Sequence, residues 1–408
     1  MLSARNGRRA ALWTAFALVH ALVLTLGFVM PNQPMGDVYL VYEPWSAAAL
    51  TGNGIVGVTE TWVYPQLALI PMVLAHGFGW IAGYTVGWAI LVALVDALAF
   101  AVLIGRARSR GRVAAGWFWL AAIVALGPVG LYRLDAITVA LVIVGGLWLR
   151  GRPWAAGVLL AIATWIKVWP AAVVAAAVVV VRRRLAVVGA GLLVSVLTLV
   201  AVLAAGGAEH AFGFVGDQTT RGLQVEAPIS TVYLWGAMLG LPGFFVYYSN
   251  DMLTFEVTGT EIDPVIAAMT PVLVAGVGAV VALTAYKTWR GASFARLLPT
   301  ASLALVLAFI VCNKVGSPQY LCWLLPSVVL GIVLDRRVWR MPAILTLVLC
   351  ALTQLIYPIV YNDVLTAQPF GVAVLTARNL LLIVLLVWMT VRLCRIPARR
   401  PAAASVPV

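Results

Sequence analysis

Apolar runs of bilayer-spanning length recur through this chain, and clusters of arginine separate them at alternate gaps. A helix needs roughly 20 residues to cross a hydrocarbon core about 30 Å thick, and several runs reach that length. Inside lipid every backbone N–H and C=O must find a partner within the protein, which leaves helices or closed barrels. A barrel would show short alternating segments instead of continuous apolar ones, so the runs read as helices. Composition agrees: the 408 residues are 63% hydrophobic and 10% charged, far too little charge to hydrate a soluble surface.

The formal net charge of +13 raises the question of nucleic acid. The arginines, however, stand in short clusters between apolar runs: Arg106 to Arg112, Arg150 and Arg152, Arg182 to Arg184, Arg336 to Arg340, and Arg392 to Arg400. That is the positive-inside pattern of a multi-pass membrane protein, and it argues orientation and no nucleic-acid partner. Arg5, Arg8 and Arg9 precede an apolar run from Ala10 to Met30 that lacks a small-residue cleavage site at Met30-Pro31-Asn32, so it reads as a retained first helix with its amino end inside. Cys312, Cys322, Cys350 and Cys394 lie in or beside apolar runs without metal-ligand spacing and read as packing residues.

Parity of the crossings then orders the chain. Asp37 to Leu50, with Tyr39, Tyr42 and Trp45, suits an interfacial helix in the first outer loop. If both Trp62 to Ile81 and Gly83 to Ile104 crossed, Arg106 to Arg112 would face outward, so the first is a juxtamembrane or half-inserted helix. Ala114 to Leu131 and Ala136 to Leu149 follow, joined by an external turn Tyr132-Arg133-Leu134-Asp135. Arg152 and Arg182 both lie inside, so Trp154 to Val181 is expected to form two half-length helices meeting near Lys167-Val168-Trp169-Pro170, with Pro170 breaking the ladder. Leu185 to Ala205 exits to a polar stretch from Glu209 to Pro228, and Ser230 to Tyr248 and Asn250 to Asp263 stay outside. Pro264 to Ala285, Leu297 to Cys312, Leu321 to Leu334, Ala343 to Val360 and Gly371 to Val391 complete the expectation: an all-α polytopic membrane protein with about twelve transmembrane or half-membrane helices. Residues 1–391 read as one transmembrane domain and 392–408 as a basic, disordered cytoplasmic tail.

This topology puts nearly every acid outside: Asp37, Glu43, Glu60, Asp135, Glu209, Asp217, Glu226, Asp251, Glu256, Glu261, Asp263 and Asp363, against Asp335 inside. Asp96 is the best mid-helix acid and His20 the best mid-helix base. Polar chemistry is therefore expected at the outer face. Asp37, directly after the first helix in Gly36-Asp37-Val38-Tyr39, is placed to act as a general base; the bland alternative is a helix cap or solvated acid. Lys167 and Lys314, two of three lysines, and Arg221 can neutralise a lipid phosphate, or else snorkel to headgroups. Gln319 and Tyr320 offer donors and a stacking face for a sugar. Three scattered histidines argue against a metal site, and no Gly-rich phosphate loop or Gly-x-Ser-x-Gly elbow occurs.

The order of five short segments resembles a known family. They are the Asp after helix one, Tyr64-Pro65, Gly157 to Pro170 with Ile166-Lys167, Arg221-Gly222-Leu223-Gln224-Val225-Glu226, and Lys314 to Tyr320 with Ser317-Pro318-Gln319-Tyr320. Together they are similar to the GT-C glycosyltransferases, specifically the actinobacterial polyprenol-phosphate-mannose-dependent mannosyltransferases of glycosyltransferase family 87. The resemblance implies a GT-C-like fold and metal-independent, inverting transfer of mannose without a cofactor. Its partners would be a polyprenyl phosphate sugar donor, a lipid-linked glycan acceptor and the lipids of the plasma membrane, with the active site outward. It implies Asp37 as the catalytic acidic residue, and it adds Tyr42, Tyr64 and Glu226 to Gln319 and Tyr320 as sugar or acceptor contacts. Where some members carry a histidine near the Ser-Pro motif, Gln319 and Tyr320 stand here. The rival reading of the same apolar bulk is a flippase or transporter of polyprenyl-linked sugars.

Overall fold

The computed structural model describes residues 2–216, 221–250 and 252–397. Among them, nine helices are long and apolar enough to cross a membrane. The chain begins with α1 (Leu2–Val29); after a loop, a π-helical turn Val38–Tyr42 runs into α2 (Glu43–Thr51), and α3 (Leu69–His76) stays short. Then α4 (Tyr84–Ile104) and α5 (Arg110–Leu126) form an antiparallel pair, followed by the shorter α6 (Leu134–Trp148), α7 (Pro153–Ile166) and α8 (Pro170–Val180). Next come α9 (Arg184–Ala204), a four-residue turn α10 (Gly213–Gly216), α11 (Thr231–Met238), α12 (Ile262–Trp289) and α13 (Phe294–Val311). The chain closes with α14 (Leu324–Asp335), α15 (Arg340–Gln354), α16 (Tyr361–Leu365) and α17 (Pro369–Arg395).

Alternating helix direction sends the arginine clusters to one end of the bundle and the long connections to the other. The segment 62–81 returns to its starting end as a 3₁₀ turn and α3, so α4 is the crossing that reaches Arg106. The half-length pair also forms: α7 and α8 each start on a proline, where a missing N–H costs nothing, and Lys167 adopts an extended conformation between them. α7 lies almost backbone to backbone against α9, because a Cβ at Gly157 would stand 2.8 Å from that of Ala190. The most buried span helix is Pro318–Asp335, with α13 beside it; α12 is the least buried and presents its sides to lipid.

Two expectations need correction. The outer stretch after Ser230 is not one apolar run but α11 followed by a hairpin, β2 (Phe245–Ser249) and β3 (Thr254–Thr258), which is joined by β1 (Leu223–Gln224) in the antiparallel order β1-β3-β2. Aromatic and β-branched residues on both sides of Ser249 and Asn250 favour strands over a helix. At the carboxyl end, α17 continues past Arg392 to Arg395 and Ile396 is buried, with the Lys287 ammonium donating to the carbonyls of Cys394 and Ile396. Asp217 and Asp251, and the tail from residue 398, lie outside the described residues.

Candidate active site

The connections at the end of the bundle away from the arginine clusters hold two carboxylates, each with its own cation. Past α1 the chain turns through Asn32 and Gln33, both at positive φ, and the Tyr357 hydroxyl donates to the Asn32 carbonyl at 3.0 Å. This fixes the approach to Asp37, which opens the π-helical turn. Its Oδ2 lies 3.1 Å from Nε of Arg133, an ion-pair contact not aligned as a hydrogen bond, and no bond to Oδ1 is found among the described residues. The carboxylate is about one-third exposed (36%), whereas the guanidinium is buried (6%). Nη1 of Arg133 also donates to the carbonyls of Pro34 (2.9 Å) and Tyr132 (3.0 Å), so one side chain ties the first loop to the start of α6. Burial works against the charge of Arg133, but Asp37 together with Tyr357, Tyr42 and Tyr64 outweighs it and raises the guanidinium pKa above its ordinary value.

Asp135, in the first turn of α6, is fully buried and fully engaged. Lys167 donates to Oδ2 at 2.9 Å and the Trp323 indole to Oδ1 at 2.5 Å. Trp169 stacks on Trp323 (centroids 5.8 Å apart, 9° between planes), and Tyr320 stacks on it at 3.9 Å. The Lys167 ammonium sits 5.0 Å from the centre of the Tyr64 ring. Burial pushes the Tyr64 and Tyr42 hydroxyls above their ordinary pKa, so both remain protonated. Tyr64 lies within electrostatic reach of Asp37, Arg133, Asp135 and Lys167, which makes the two ion pairs one centre.

A second group of cations borders this centre. Arg221 is within reach of Tyr320 and of Lys314, and its Nε has no hydrogen-bond partner among the described residues. Burial, helped by Arg221 and opposed by Glu256, lowers the pKa of the Lys314 ammonium. The loop that carries Lys314 is held by Gln224, whose Oε1 accepts the Gly316 N–H at 3.2 Å, and Gly316 packs directly on the backbone of Ala227. Ser317 Oγ donates to Gln319 Oε1 at 2.6 Å.

The residues singled out in the sequence divide into two groups. Asp37, Tyr64, Lys167, Arg221, Lys314 and Tyr320 come together, with Gln319 one residue from the stack. Tyr42 is fully buried behind Asp37, its hydroxyl accepting the Leu134 N–H at 3.4 Å, so it forms wall and not surface. Glu226 is buried in an ion pair: it is 2% exposed, its Oε2 accepts from Arg378 at 2.9 Å, and it lines a small cavity with Ser317 and Tyr320. Lys167 is committed to Asp135, which cancels its charge and leaves Arg221 in no ion pair among the described residues.

Sequence reasoning passed over Arg133, Asp135, Trp323 and Arg378. Three of them carried a signal: Arg133 and Asp135 are a charged pair squeezed between apolar helices, and Arg378 interrupts the apolar run of α17, where a cation needs a partner. His20 and Asp96, the mid-helix base and acid, turn out to be each other's partners at 3.1 Å.

Residues 62–312 match the model of glycosyltransferase family 87. The match includes Tyr64, Arg133, Asp135, Lys167, Arg221 and Glu226, begins after Asp37 and ends before Lys314. No curated protein and no solved structure matches the chain. The match covers more than half of the 408 residues, and the chain belongs to glycosyltransferase family 87.

Proposed function

We propose that this membrane glycosyltransferase moves a mannosyl residue, with inversion, from a polyprenyl phosphate donor to a lipid-linked glycan at the non-cytoplasmic face of the plasma membrane, in a GT-C-like fold. The carrying observation is Asp37: a carboxylate at the end of the bundle away from the arginine clusters, held at Oδ2 by a buried guanidinium and left open at Oδ1. Oδ1 takes the proton of the acceptor hydroxyl as its oxygen attacks the anomeric carbon from the face opposite the leaving phosphate. The C1–O bond breaks with its electrons going to the phosphate, whose growing charge Arg221 and Lys314 neutralise. Lys167 serves this centre through Asp135, holding the first turn of α6 and the Trp169–Trp323–Tyr320 stack in place for the sugar.

The donor, the sugar and the face of the membrane rest on the family resemblance and on the positive-inside rule. The test is transfer of radiolabelled mannose from synthetic polyprenyl phosphomannose into lipid acceptor by the purified full chain, alongside Asp37→Asn. Incorporation by the wild type, its loss in the variant and inverted configuration in the product are expected. Equal incorporation by both removes Asp37 from the reaction, and movement of intact donor across vesicles without transfer favours the flippase reading.

A further inference from the structure

The small sheet has a polar face that the reaction centre leaves unused. β3 is its central strand, and the register sets Glu256 opposite Tyr247 on one side and Gln224 on the other. Side chains alternate along a strand, so these three share a face, while Phe255 and Val257 turn into an apolar cluster with Leu223 and Tyr233. Gln224 spends its carbonyl oxygen on Gly316. Glu256 has no such full complement. It is 4% exposed, its Oε2 accepts from the Tyr247 hydroxyl at 2.9 Å, and its Oε1 is closed off from water with no hydrogen-bond partner among the described residues.

A carboxylate oxygen withdrawn from water and left without a donor is costly, and native folds retain few such groups without a use. Here the surroundings suit a ligand. Gly222 lets the backbone lie directly against the carboxylate, since a Cβ there would fall 2.5 Å from Oε2. Arg221, next to it, keeps its Nε unpartnered among the described residues, and the exposed ring of Phe245, two residues from Tyr247 along β2, stands on the same face as Glu256. Burial and the neighbouring Glu256 push the Tyr247 hydroxyl up to about 12, so it stays a donor. A carboxylate acceptor, a guanidinium donor and aromatic faces together match a chain of vicinal hydroxyls. A second phosphate would meet the charge of Glu256, and an apolar tail would leave it unpaired.

We propose that Glu256 and Tyr247 form an acceptor subsite that binds hydroxyls of a glycan at a sugar unit distant from the one being extended. Arg221 lies between this subsite and Tyr320 and joins it to the reaction centre. The inference rests on the glycosyl-transfer reading above.

Its test compares two synthetic lipid-linked acceptors, a monosaccharide and a trisaccharide, with the full-length enzyme, Glu256→Gln and Tyr247→Phe. Loss of one hydrogen bond to a charged group predicts that the trisaccharide-to-monosaccharide ratio of kcat/KM falls about tenfold in Glu256→Gln, and less in Tyr247→Phe. A variant that merely loosens the fold lowers both acceptors together, and an unchanged ratio overturns the proposal. Binding of the free trisaccharide, followed by ligand-observed NMR, separates the two readings. If the wild type transfers to neither acceptor, the function falls; the subsite then stands if the trisaccharide binds wild type more tightly than Glu256→Gln, and falls if it does not.

Discussion

Replacing Arg133 by methionine keeps the length and apolar stem of the side chain and removes the ion pair to Asp37 together with the two donations to the neighbouring backbone. At 3.1 Å the pair attracts by about 5 kcal/mol at an effective dielectric of about 20. Asp37 is one-third exposed, so solvent screening reduces this to about 2 kcal/mol. The donations to Pro34 and Tyr132 add about 1 kcal/mol each. Some 4 kcal/mol, roughly, then no longer fastens the first loop to α6, and a base displaced by about 1 Å costs about 100-fold in rate. We expect kcat in the mannose-transfer assay to fall about 100-fold in Arg133→Met, with thermal unfolding in detergent showing an intact bundle. Arg133→Lys, which keeps the charge without the fork, should recover only part of the loss. An Arg133→Met enzyme as fast as wild type or faster, with the bundle intact, would refute the positioning argument.

Other expectations follow from the same geometry. Glu226 and Arg378 are both buried, so Arg378→Met should lower stability by about 3–5 kcal/mol, seen as a fall in Tm, and the double variant with Glu226→Gln should be less destabilised than Arg378→Met alone. Because the Lys314 pKa lies below that of an ordinary lysine, its charge is lost as pH rises through that lowered value; KM for the donor should climb on the alkaline side, and Lys314→Arg should abolish the climb. A pH-independent donor KM in the wild type would remove Lys314 from phosphate binding. Gly157→Val should drive α7 off α9 and impair folding, measured as loss of monodisperse protein on size exclusion, whereas Gly191→Ala, with open space at its Cβ, should behave as wild type.

What the sequence disclosed was governed by local physics. Arginine spacing and the length of apolar runs located the crossings, and Pro170 marked the break in the half-length pair, because each of these constraints acts within one or two helices. The ion pairs were hidden for the opposite reason. Arg378 meets Glu226 across 152 residues and Trp323 meets Asp135 across 188, and no periodicity records such a distance. Asp37 was legible as an exposed acid, but its dependence on Arg133 was not. The hairpin at 245–258 was not legible, because in hydropathy alone a strand pair with aromatic faces cannot be told from a short apolar helix.

The His20–Asp96 contact bears on how the protein is made. His20 Nδ1 lies 3.0 Å from the Phe16 carbonyl, which can only accept, so Nδ1 donates there and Nε2 faces the Asp96 carboxyl at 3.1 Å. α1 emerges from the ribosome long before α4, and it is a lightly packed span, 28% buried, so the polar partner that fastens it arrives only when Asp96 has been translated. The helix that leads into the loop of Asp37 is thus synthesised first and secured later, and the lateral docking of α1 becomes a late step in biogenesis, contingent on a residue more than seventy positions downstream.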